Sequence, residues 1–179
     1  MKTQGVKWYT GETVSVAIGQ GAVWLTPIGL MQLASFVANE GVTFKPQIVN
    51  RVVTPDGKVV KTFEPVMTAN VKLNREAITL VKEGMKGVVN EPGGTAHSNA
   101  FSQKVSISGK TGSAQSGTGG ADHAWFISFA PSDNPSVSMG ILVEHGLHGA
   151  SAAAPVAKEV AEVFLAGQEE AKPAESDAH

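Results

Sequence analysis

Lys110 and Thr111, held between Gly109 and Gly112 and followed by Ser113, place one cation and two hydroxyls on consecutive residues. That set suits recognition of a carboxylate: the ammonium supplies charge, the hydroxyls donate hydrogen bonds, and an extended peptide can pair along a strand edge meanwhile. A strand interior normally avoids glycine, which costs backbone entropy and packs no side chain. Gly109 and Gly112 therefore predict that another backbone, such as a substrate, approaches closely. Val105 and Ile107 alternate with Ser106 and Ser108, the two-residue period of a half-buried strand, here predicted over 104–115.

Other chemistries fail on spacing. A phosphate-binding loop needs a glycine where this chain has Lys104, and a helix where it continues Ser-Ala-Gln-Ser-Gly-Thr-Gly-Gly. Gly19-Gln20-Gly21 begins like a dinucleotide fingerprint, but Trp24 replaces the third glycine and no strand clearly precedes it. His145 and His148 sit among Gly146 and Gly149 and read as a loop, so no metal site and no cofactor is expected. His123, beside Trp125, reads as a packing or loop-anchoring residue. The plain alternative for Lys110 is a solvated side chain beside a turn.

The elements that must position these residues follow from capping and periodicity. Residues 11–21 are glycine-spaced and predict a buried loop. Thr26 and Pro27 open a helix that Asn39-Glu40-Gly41 closes, with Leu30, Leu33, Ala34, Val37 and Ala38 on one apolar face. Residues 47–53 and 58–63 read as strands of a surface hairpin turning at Thr54-Pro55-Asp56-Gly57. A helix over 74–90, capped by Asn74, aligns Ile78, Val81, Met85, Val88 and Val89; Gly84 and Gly87 suggest close packing. Residues 116–121 carry Gly117, Gly119 and Gly120 and predict a mobile connection able to cover the Lys110 region. Strands over 124–130 and 137–144 complete a three-stranded antiparallel meander. A helix over 151–167 is expected to cover it with Val156, Val160, Val163 and Phe164, and 168–179 reads as a disordered tail. The predicted class is α+β, an antiparallel sheet covered by helices.

At 179 residues the chain suffices for one domain, here 1–167. Its net charge of -2 argues against a nucleic-acid partner. It has no cysteine, no apolar run long enough to span a bilayer, and no signal-peptide core near Met1.

Ser-Gly-Lys-Thr-Gly-Ser-Ala-Gln, the glycine-rich loop, Asp122-His123-Ala124-Trp125-Phe126 and the later Val-Ser-Met-Gly-Ile-Leu-Val-Glu-His-Gly together resemble the rear part of a penicillin-binding protein transpeptidase domain. The likeness, to the class B, elongation-type enzymes called penicillin-binding protein 2, extends over about residues 8–167 and implies a serine β-lactamase/transpeptidase-like fold. It implies acyl transfer from D-Ala-D-Ala stem peptides in peptidoglycan cross-linking, with β-lactams as competing ligands. Lys110 and Ser113 would be catalytic. Lys110 would assist proton transfer and attract the substrate carboxylate; Thr111 would hydrogen-bond that carboxylate. Gly112 would admit the substrate backbone, and Ser113 would lend its amide to the oxyanion hole and its hydroxyl to the carboxylate.

The same family uses a nucleophilic serine with lysine three positions later, and no serine here meets that spacing. Ser132-Asp133-Asn134 spells the family's second motif, yet follows the lysine strand and lies between prolines, so it reads as a turn. A nucleophile-less chain is expected to be inactive alone, as though Met1 were a truncated start, with the N-terminal part of the domain as its partner. Its uncovered sheet is expected to make it poorly soluble. The family works at the extracytoplasmic, periplasmic face of the cytoplasmic membrane, tethered by an upstream segment. The rival reading is a non-catalytic module that binds a stem peptide or a protein of the wall-elongation machinery.

Overall fold

The computed structural model describes residues 8–21, 24–116 and 119–170. In chain order it forms α1 (Thr10–Ala17), α2 (Pro27–Ala38), β1 (Val42–Phe44), β2 (Arg51–Val53), β3 (Val59–Thr62) and β4 (Met67–Asn70). There follow α3 (Arg75–Asn90), α4 (His97–Ala100), β5 (Ser108–Ala114), β6 (His123–Ala130), β7 (Val137–Val143) and a π-helical turn (Gly149–Ala153) that runs into α5 (Ala154–Glu170).

The caps act as the sequence predicts. Thr26 Oγ1 accepts a hydrogen bond from the Gly29 N–H at 3.1 Å and starts α2, and Asn74 Oδ1 accepts from the Ala77 N–H at 3.0 Å and starts α3. Gly41 ends the first of these with φ +104, and a Cβ there would meet the Val71 carbonyl oxygen at 2.2 Å. Residues 11–21 differ from expectation: they are mostly helix α1, with no buried residue. Only Gly11 falls inside that helix. Gly19 and Gly21, at φ +78 and +84, form its exit instead.

Two small antiparallel ribbons follow. The foreseen hairpin is present as β2 and β3, shorter than predicted and exposed at every residue of both strands. The β1–β4 pair, Val42 opposite Asn70, was not foreseen, because its partners are brief and lie on either side of that hairpin.

The meander is present as the order β5-β6-β7, antiparallel throughout, with Lys110 opposite Ile127 and Ile127 opposite Gly140. Its first strand starts later than predicted. Ser102 Oγ accepts hydrogen bonds from the N–H groups of Lys104 and Val105 at 3.1 and 3.2 Å, so these donors turn the chain instead of entering a ladder. The Val105 and Ile107 alternation belongs to that lead-in, where Ile107 enters the core.

Alternation along β6 sends Ala124, Phe126, Ser128 and Ala130 to one face and Trp125, Ile127 and Phe129 to the other. On the first face lies the main core, with Phe126 completely buried among Val89, Ile107 and Met139. Helix α5 covers it through Ala154, Ala157 and Ala161, all buried, and not through the predicted stripe: Val160 is 44% and Val163 72% exposed. The alanine stripe brings helix and sheet close enough to enclose the phenylalanine ring, a preference that counting large apolar residues misses. The helix also continues to Glu170, past the predicted boundary, and 171–179 lie outside the described residues. On the second face α2 packs against β7, where a Cβ on Gly140 would lie 3.1 Å from the Met31 Cβ. Leu33, placed on the buried face by periodicity, is 44% exposed, and only Ala34 and Ala38 of that helix are buried. A Cβ on Gly84 would have nothing within 4 Å, whereas one on Gly87 would meet the carboxylate of Glu91, the residue that caps the helix, at 3.2 Å.

Gly109 sits beneath the Phe126 ring: a Cβ there would be 2.3 Å from the ring's Cζ. Gly109→Ala is expected to lower stability by about 1–3 kcal/mol through overpacking, read as a lower urea midpoint; an unchanged midpoint contradicts this packing. Glu162 ties α5 to the lead-in, accepting from Ser102 Oγ at 2.7 Å and from Lys104 Nζ at 2.9 Å. The Ser102 hydroxyl first, then Lys104, hold its carboxyl below the usual range, so its stabilisation is present above that range and lost as pH falls through the lowered pKa. Glu162→Gln should therefore be less stable than the wild type near neutrality. The gap should close on acidification through the carboxylate range, in denaturation curves taken at each pH.

Candidate functional site

Among the described residues β5 pairs only with β6, so no second strand occupies its other edge, where an extended peptide could add. Lys110 and Ser113 are exposed on it, and Thr111 and Gly112 half-buried. Within a sheet Lys110 and Thr111 would address opposite faces; at an edge both reach a ligand lying alongside. A groove of about 520 Å³ runs between this strand and the segment around α1 and the start of α2, lined by Lys110 to Ser113 and by apolar side chains including Trp24, Leu25 and Trp125. That volume falls in the small-ligand range. Lys110 is the one charged residue along it among the described residues. Its Nζ donates to the Thr111 carbonyl at 2.7 Å, which folds the ammonium back along its own strand.

Neighbouring segments hold the edge in place. Asn90, at the end of α3, donates through Nδ2 to the Ile107 carbonyl at 2.8 Å and so fixes the entry to β5. From the same helix end, Val88 and Val89 anchor the next segment: their carbonyls accept from the Ala96 N–H and from His97 Nδ1, each at 3.0 Å. Gly94 lies so close to that end that a Cβ would meet the Val88 oxygen at 2.3 Å. Between these anchors, Thr95 Oγ1 stands 3.3 Å from Thr111 Oγ1. Across the groove, Gln20 Nε2 donates to the Ser113 carbonyl at 3.4 Å. The sequence reading singled out neither Thr95 nor Gln20 as a site residue. Gly19 and Gly21, on either side of Gln20, were the available sign that its backbone turns sharply toward something.

The glycines beside Lys110 have internal partners. Gly109 answers to Phe126, as described. A Cβ on Gly112 would lie 3.3 Å from the Trp125 Cβ, and Gly149 of the π-helical turn packs so closely that its own Cβ would meet the Gly112 carbonyl oxygen at 2.6 Å. Both glycines thus have close neighbours within this chain.

The remaining candidates lie apart in role. Ser132 is buried in the β6–β7 connection, its hydroxyl accepting from Ser106 and Ser108 at 2.9 Å each, while Asp133 pairs with Lys86 at 2.9 Å. Those bonds tether the connection to the lead-in and start of β5 and to α3. The His145 N–H donates to His123 Nδ1 at 3.1 Å, and His145 Nδ1 donates to the Ala121 carbonyl at 2.9 Å, fastening the end of the glycine-rich connection to the sheet. Gly117, within the connection predicted to be mobile, lies outside the described residues. No group of three or more metal-ligating side chains is clustered among the described residues, and no helix there is long and apolar enough to cross a membrane.

The family model of the penicillin binding protein transpeptidase domain matches residues 1–162. A peptidoglycan D,D-transpeptidase MrdA of Haemophilus influenzae is 30% identical over 174 residues, covering 88% of this chain and 26% of the relative. Among solved structures, penicillin-binding protein 2 of Pseudomonas aeruginosa in complex with WCK 5153 aligns with a TM-score of 0.75 and 34% identity, over 99% of this chain and 37% of that one. The imipenem acyl-enzyme complex of penicillin-binding protein A from M. tuberculosis aligns with a TM-score of 0.71 and 33% identity, over 84% and 33% of the two chains. The chain thus spans about a quarter of the length of the H. influenzae relative, and its α+β arrangement is that of the transpeptidase domains it overlays. It belongs to the penicillin-binding protein transpeptidase family, on the class B branch that includes penicillin-binding protein 2.

Proposed function

We propose that this chain forms the substrate-binding rear portion of a peptidoglycan D,D-transpeptidase and holds the D-alanyl-D-alanine end of a stem peptide, or a β-lactam in its place, along β5. The observation that carries this reading is the open strand edge on which Lys110, Thr111 and Ser113 border the groove. A C-terminal carboxylate laid there meets one ammonium and two hydroxyls. Trp24 and Trp125 offer apolar surface along the groove against which the ligand's methyl groups can pack.

In the acyl step a serine oxygen bonds to the carbonyl carbon of the penultimate D-alanine. The peptide bond to the last D-alanine breaks, and that residue leaves as an amine carrying the serine's proton. An amine of a second stem peptide then displaces the serine. No serine of the chain has lysine three positions later, so the nucleophile comes from outside these 179 residues. Lys110 supports the proton transfer by its field, and the Ser113 N–H faces the oxygen that gathers charge. Such a protein works on the wall side of the cytoplasmic membrane.

The test uses the longer protein that contains these residues together with a Ser-x-x-Lys segment. Labelled penicillin should acylate it, and Lys110→Ala should slow acylation by about 100-fold or more, measured as labelled protein against time. A folded protein that never takes the label overturns the enzymatic reading in favour of a non-catalytic module.

A further inference from the structure

The Thr111 hydroxyl owns a single hydrogen and has two claimants for it, the carboxylate of a ligand at the strand edge and the Thr95 hydroxyl 3.3 Å away. If Thr111 donated to Thr95, it would turn only lone pairs toward the carboxylate, and two acceptors would face each other. If Thr95 donates, Thr111 receives that hydrogen and sends its own to the ligand. The second arrangement alone leaves every group satisfied. It also polarises the Thr111 hydroxyl, since a hydrogen bond received strengthens the one given.

We propose that Thr95 is a positioning residue, which orients the Thr111 hydroxyl toward a bound carboxylate and thereby sets the preference for a free C-terminus; this rests on the substrate-binding reading of β5. The local backbone is built for the task. Residues 94–97 are pinned to the end of α3 by the Ala96 N–H and His97 Nδ1, each 3.0 Å from its carbonyl, and Gly94 lies so close to that helix end that no side chain fits. Because α3 also fixes the start of β5 through Asn90, both hydroxyls are referred to one rigid element. The separation exceeds the usual hydroxyl spacing of about 2.8 Å, as befits a contact that tightens once a ligand anion draws the shared hydrogens forward.

The experiment titrates the longer protein that joins these residues to a Ser-x-x-Lys segment, with that serine changed to alanine so that the ligands stay intact, against N-acetyl-D-alanyl-D-alanine and its C-terminal amide, by calorimetry or by NMR shift perturbation. The wild type should prefer the carboxylate. Thr95→Val keeps the branched shape but removes the donor, and should weaken carboxylate binding by about fivefold to tenfold while leaving amide binding unchanged. Thr95→Ser should restore the preference. A Thr95→Val protein that melts with the wild type but keeps its carboxylate-to-amide ratio, or loses affinity for both ligands alike, overturns the proposal. Lys110→Ala separates the two levels of inference: if it abolishes binding while Thr95→Val leaves the ratio untouched, only the role of Thr95 fails. A wild type that binds neither ligand overturns the substrate-binding reading and this proposal with it.

Discussion

The Phe126 ring lying across Gly109 is the contact on which the rest of the structure depends. The ring is completely buried, and no side chain fits beneath it on the neighbouring strand. It clamps β5 to β6 by volume as well as by backbone hydrogen bonds. Everything above the ring adjusts to it. Helix α5 presents alanines where larger residues would hold it off, and the π-helical turn brings Gly149 down onto the ladder beside Gly112.

That clamp explains how a strand can be rigid and still have a side to offer. Inward, β5 is held by β6, by Phe126 and by the π-helical turn; at its entry it is held by Asn90. Its outward edge is left for something else, with a lysine and hydroxyls arranged along it. Recognition of an extended chain needs this division, since a loose edge would have to be ordered by the ligand at an entropic cost. The hydroxyl of Thr95 reaches that edge from a segment tied to the same helix, so strand and accessory group share one frame.

Much of this was legible in the residues. The Thr26 and Asn74 caps, the hairpin turn at Pro55 and the three-strand meander are local signals, and each survives folding because its hydrogen bonds close within a few residues. Lys110 to Ser113 could be singled out because a cation and hydroxyls between glycines are unusual in a strand. What remained hidden depends on partners distant in sequence. The buried face of α5 was assigned to Val156, Val160, Val163 and Phe164, whereas fit against a phenylalanine ring selected the neighbouring alanines. The glycines announced close contacts but not with whom; Gly109 answers to Phe126, seventeen residues later by number. The contact of Thr95 with Thr111 stayed hidden, because a hydroxyl opposite another hydroxyl is a relation between two segments that no single stretch records.

The exposed β2–β3 ribbon has a consequence of another kind. Both of its strands are solvent-exposed at every position, so it adds little to the main core and borrows little from it. Its amides can open and reclose as a separate unit while the sheet stays shut, exchanging with solvent long before those of β6. Changes of length or composition between residues 51 and 62 therefore fall outside the constraints that fix Phe126 and Gly109. This ribbon is where the lineage can drift, or acquire a contact, without disturbing the strand that carries Lys110.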